Sequence, residues 1–130
     1  MADIILVQTI ADIAGVKHVS KMTNISDGTG ESLVTKIDAS NTNAMTEDGT
    51  KVLARIWYSI NTTNSNAGVE LLWGGTTNST MVMLNGQGHW DLRSFGDGIV
   101  NNATIPTGDV LLTTRNFVSG DNYTILVEFR

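Results

Sequence analysis

The sequence predicts an all-β protein, an antiparallel β-sandwich of jelly-roll type with about eight to nine short strands. Three observations predict it. Only 16% of the 130 residues are charged while 41% are hydrophobic, so Thr, Asn, Ser and Gly must cover much of the surface, a composition that suits strands better than helices. Two segments alternate with the period of a half-buried strand. Gly-containing dipeptides divide the chain at short intervals, with Gly and Asn tolerating the positive φ of tight turns.

In chain order, residues 1–10 open with the apolar run Ile4, Ile5, Leu6, Val7. This segment is an extended arm or an edge strand: it closes the domain's own sheet or pairs with a neighbour's exposed edge. A short helical turn is expected around Ile10 to Ala14. Strands follow at 16–25 and 31–38, separated by Asp27-Gly28, and a polar loop spans 38–50 with a turn at Asp48-Gly49.

At 51–60, Val52, Ala54, Ile56, Tyr58 and Ile60 share one face, leaving Leu53 and Trp57 on the other with Lys51, Arg55 and Ser59. A second polar loop covers 61–68. Strands are then expected at 69–73, 79–84, 88–93 and 109–115, punctuated by Asn85-Gly86 and Asp97-Gly98. After Gly120-Asp121, Tyr123, Ile125, Val127 and Phe129 alternate with Asn122, Thr124, Glu128 and Arg130. One domain over 1–130 accounts for the length.

Charge and composition narrow the function. A net charge of −5 and a pI near 4.7 oppose binding to phosphate backbones or an anionic membrane surface. The absence of cysteine removes disulfides, thiolate nucleophiles and Cys-based zinc sites. The N-terminal run lacks a basic flank and is too short for a signal sequence, so folding in a cytosol is expected.

No motif carries catalysis. His89 and Asp91 share a strand face, but Ser94 has the wrong parity for a triad and no nucleophile elbow occurs. With His18 as the other histidine, a metal site would need distant carboxylates, and Asp27 to Glu31 lacks the alternating ligands of a calcium loop. The expectation is a non-enzymatic protein with no cofactor and no metal. Five Asn-x-Ser/Thr sequons, starting at Asn24, Asn61, Asn78, Asn102 and Asn122, fit a chain rich in these residues. Trp73 and Trp90 are expected in the core. Trp57, opposite its strand's apolar face, is the best single candidate for an interface anchor; with Leu53 and the run Ile4, Ile5, Leu6, Val7 it forms the expected partner-binding set.

The stretches Ile25-Ser-Asp-Gly-Thr-Gly-Glu31, Arg55-Ile-Trp-Tyr-Ser59, Leu71-Leu-Trp73, His89-Trp-Asp-Leu-Arg-Ser-Phe-Gly96, Asn101-Asn-Ala103, Thr107-Gly-Asp-Val-Leu-Leu-Thr-Thr114 and Gly120 to Arg130 resemble a family of small virion structural proteins of tailed bacteriophages. The resemblance runs from about residue 15 onward and rests on turn and strand landmarks. It implies a capsid decoration or cement protein on the head exterior. Such a protein is assembled in the bacterial host cytoplasm, binds and cross-links major capsid protein subunits, and self-associates, with a trimer favoured. The alternative is a glycan-binding β-sandwich module on a phage tail or head fibre, using Trp57, Tyr58, Trp73 or Trp90 as stacking faces.

Overall fold

The computed structural model describes residues 3–46 and 49–130. Two antiparallel sheets form a sandwich. The nine strands are β1 (Ile4–Ile13), β2 (Lys17–Ile25), β3 (Val34–Ile37), β4 (Leu53–Asn61), β5 (Gly68–Thr77), β6 (Ser79–Leu84), β7 (Gln87–Asp91), β8 (Thr104–Arg115) and β9 (Asn122–Phe129). Single 3-10 turns lie at Ala39–Asn41 and Leu92–Phe95. The first sheet has the order β1-β2-β9-β4-β7 and the second β3-β8-β5-β6.

The pairs β2–β9, β3–β8, β4–β7 and β5–β6 are nested in sequence. That is the pairing of one long hairpin rolled over on itself, and it yields a jelly roll, with β1 added beside β2. Between β6 and β7 the chain passes from one sheet to the other through Asn85 and Gly86 alone, which Gly86 permits by adopting φ +73°.

Alternation builds the core. On β9, Tyr123, Ile125, Val127 and Phe129 all point inward, as do Met22 of β2 and Ile56 and Ile60 of β4. They meet Val69, Leu71 and Trp73 of β5, Val82 and Leu84 of β6, and Val110 and Leu112 of β8. Trp73 packs edge-on to Phe129 at 5.4 Å between ring centroids. Trp73 is therefore core, as expected. Trp90, also expected in the core, is not part of it: the residue meets Tyr58 edge-on, but β7 is an edge strand and leaves it 38% exposed.

Two further expectations are corrected. No helical turn forms at 10–14: β1 continues to Ile13, absorbing an irregularity between Thr9 and Ala11 in its register with β2, and the chain turns at 14–16. On β4, the register with β9 slips between Leu53 and Arg55. This bulge turns Leu53 inward beside Ala54, so both are fully buried, and backbone hydrogen bonds of 3.0 Å in each direction tie Leu53 to Ile99. Residues 1 and 2 of the N-terminal segment, and Asp48 of the turn at Asp48-Gly49, lie outside the described residues.

Candidate assembly surface

The N-terminal run belongs to the domain's own sheet and lies at its edge. β1 pairs with β2 over nearly its whole length and is the outermost strand of its sheet. Its other edge therefore carries backbone N–H and C=O groups outside the sheet ladder. The first sheet has five strands and the second four, and β1 overhangs. Ile5 and Val7, which share the inner face with Asn24 and Met22 of β2, remain exposed, as do Ile4 and Leu6 on the outer face; Ile4 reaches 67%. Ile10, Ile13, Val16 and Ile25 extend this apolar surface. Isolated exposed apolar residues are ordinary, but a contiguous group on an open edge marks an interaction site.

Trp57 stands on the outer face of the same sheet. The cross-strand row runs Gln8, Lys21, Leu126, Trp57, His89. Trp57 is thus three strand spacings from β1, about 14 Å. Its ring lies flat against His89, with centroids 4.8 Å apart and planes 6° from parallel. Between Trp57 and β1 runs a shallow groove of about 510 Å³, floored by Ile10, Ala11, Val19, Leu126 and Trp57 and bordered by Lys17 and Glu128. The structure thus joins Trp57 to the β1 strand through one apolar face. It removes Leu53 from the expected set, because the bulge buries it.

The next row carries charge. Arg55 lies 3.7 Å from Asp91 and 4.0 Å from Glu128, and Glu128 also takes Arg130 at 2.8 Å. Asp91 accepts from the backbone N–H of Arg93 at 3.2 Å. His89 and Asp91 do share a face, as their spacing predicts. They are engaged separately, however, His89 by Trp57 and Asp91 by the two arginines.

A different Asp, His and Ser come together at the far end of the β1–β2 hairpin. His18 Nδ1 lies 3.2 Å from Asp12 Oδ1, and His18 Nε2 lies 2.7 Å from Ser20 Oγ. The i, i+2 spacing of His18 and Ser20 was a legible signal for a shared face; the contribution of Asp12 required knowing the hairpin register. Both His18 and Ser20 are at most 2% exposed. They line the back of a cleft of about 250 Å³ between β2 and β3, with Val7, Thr9, Thr35 and Lys36. Asp12 accepts backbone N–H groups from Asn43 and Ala44 at 2.8 Å each, so the array ties the loop at 38–46 to the hairpin.

Among the described residues, no group of three His, Cys, Asp or Glu side chains is placed to hold a metal ion, and no helix is long and apolar enough to cross a membrane. Comparison with protein-family models, with curated proteins and with solved structures gives no match.

Proposed function

We propose that this chain is a non-enzymatic structural protein of a phage virion, a decoration protein that binds major capsid subunits on the outside of the head. The observation that carries the reading is β1: an edge strand of ten residues with an open hydrogen-bonding edge and exposed apolar side chains on both faces. An extended segment of a shell subunit can add to such an edge, with backbone hydrogen bonds supplying affinity and side chains fixing register. The groove beside Trp57 gives the same face a place for a large apolar side chain.

Attachment by several copies at once fits this geometry. Each contact is small, but once one copy of a cyclic oligomer is bound the remaining contacts become intramolecular and the whole attachment tightens. A trimer matches a three-fold position of a shell. The resemblance of the sequence landmarks to small phage virion proteins supports the same reading. The fold is neutral by itself, because jelly rolls serve viral capsids and lectins alike.

The glycan-binding alternative draws less support. A sugar site of the expected kind needs two or more aromatic faces in one concave groove, and Trp57 is the aromatic residue among those lining the groove on this sheet.

Co-sedimentation with phage heads assembled without the protein tests the proposal. Saturable binding is expected, at a copy number matching a symmetry axis of the shell, and it should weaken on Leu6→Lys or Trp57→Ala. Absence of binding to such heads overturns it.

A further inference from the structure

A cluster of polar side chains is sealed inside the open edge of the sandwich. Lys36 and Glu31 form an ion pair in which the two side chains are 1% and 3% exposed. Asn24, itself 1% exposed, donates one Nδ2 hydrogen to Glu31 Oε1 at 2.6 Å and the other to Asp3 Oδ2 at 3.1 Å. The Tyr123 hydroxyl donates to Glu31 Oε1 at 2.6 Å. Among the described residues, Asn24 Oδ1 is buried without a hydrogen-bond partner and Lys36 Nζ has Glu31 Oε2 as its polar contact.

Local structure makes the cluster. The β3–β8 register slips between Thr35 and Ile37, and the extra residue at this bulge is Lys36. Both Lys36 and Ile37 are buried as a result, where strict alternation would send one of them outward. An ammonium taken from water needs several acceptors to offset its lost hydration, and one carboxylate oxygen is a poor replacement.

We propose that Lys36 and Asn24 are poised to join through an intramolecular isopeptide bond, with Glu31 as the catalytic residue that carries protons between them. Glu31 touches both reacting nitrogens, one on each oxygen. Its Oε2 takes a proton from Nζ, and the freed lone pair attacks Cγ of Asn24. The C–N bond forms, the carbonyl electrons move onto Oδ1 and return, and the Cγ–Nδ2 bond breaks. Of the three protons on Nζ, one stays on the new amide and two pass by way of Glu31 to Nδ2, which leaves as ammonium. The carboxylate ends as it began, and no oxidant or other reactant is consumed. Burial and the contact with Glu31 push the Tyr123 hydroxyl well above its ordinary pKa, so it stays a neutral donor holding the carboxylate in place.

The product would link β2 of one sheet to β3 of the other. It would brace the sandwich at the edge that β1 overhangs, whatever binds there.

Mass spectrometry of the purified, denatured full chain tests this. The expected mass is lower than the sequence mass by one ammonia. Trypsin cannot cut after an acylated lysine, so the expected peptide runs from Met22 to Lys51 with the same deficit, and fragment ions should place the link between Asn24 and Lys36. Glu31→Gln should restore both the full mass and cleavage after Lys36; Asn24→Ala should do the same, with circular dichroism verifying that each variant keeps its strand signal. A wild-type chain of full mass that trypsin cuts after Lys36 overturns the proposal. So does a deficit that maps elsewhere, such as a succinimide at Asn85-Gly86. The wild-type mass decides the question even where a variant fails to fold.

Discussion

His18 Nδ1 lies 3.2 Å from Asp12 Oδ1, at the point where the β1–β2 hairpin meets the loop at 38–46. Burial alone would push the Asp12 carboxyl up, but the backbone N–H groups of Asn43 and Ala44 and the His18 imidazole outweigh it and hold the carboxyl below its ordinary 3.8. A carboxyl whose folded pKa lies below its unfolded one adds stability that is present above the unfolded value and lost as pH falls through the folded one. Urea unfolding of the wild type should therefore show a loss of stability on acidification below the ordinary carboxylate range. Asp12→Asn should lack that component and be less stable at neutral pH by about 1 kcal/mol, because an amide NH2 replaces one of the two oxygens that accept the Asn43 and Ala44 backbone N–H groups.

Leu53 and Trp57 are expected to separate folding from binding. Leu53→Ala removes a fully buried side chain and should cost about 2–5 kcal/mol in unfolding experiments. Trp57→Ala lies on the solvent side of the same strand and should change stability far less, while binding to heads falls. Equal destabilisation by both would contradict the bulge that turns Leu53 inward.

Leu6→Lys places a charge on the outer face of the edge strand, where Leu6 is 57% exposed. Stability should stay within about 0.5 kcal/mol of wild type, as for surface substitutions generally. Self-association and attachment to heads should both weaken, readable by analytical ultracentrifugation and co-sedimentation.

Gly108 and Gly86 make a matched pair. Both have positive φ, +82° and +73°, and alanine at either should cost about 1–2 kcal/mol for the backbone conformation. At Gly86 a Cβ meets open space, whereas at Gly108 it would stand 2.0 Å from the carbonyl oxygen of Thr46. Gly108→Ala should therefore be clearly the worse of the two in thermal unfolding, because the backbone at Thr46 has to move.

Much of the fold was legible in residue order. Period-2 alternation on 51–60 and 122–130, together with turn dipeptides, located nine strands, and the segment 79–84 matches β6 residue for residue. Bulges left no mark in the pattern. An extra residue shifts the parity of everything on one side of it, so alternation alone places Leu53 on the outer face and gives no sign that Lys36 is buried. On β1, apolar residues occupy both faces, and composition alone could not distinguish a strand inside its own sheet from a free arm. The polar interior was hidden for another reason. Glu31 and Tyr123 meet across 92 positions, a proximity that only the rolled topology creates.

That topology also sets the order of events during synthesis. β9 is hydrogen-bonded on both sides, to β2 and to β4, so the first sheet has a gap at its centre until residues 122–129 leave the ribosome. Contacts of such long sequence separation make folding slow. Through that interval the sticky β1 segment is accompanied by an unfinished core, and nascent chains crowded on one message are at their greatest risk of aggregating. A cell making many copies at once would benefit from chaperones that hold the chain until its ninth strand arrives.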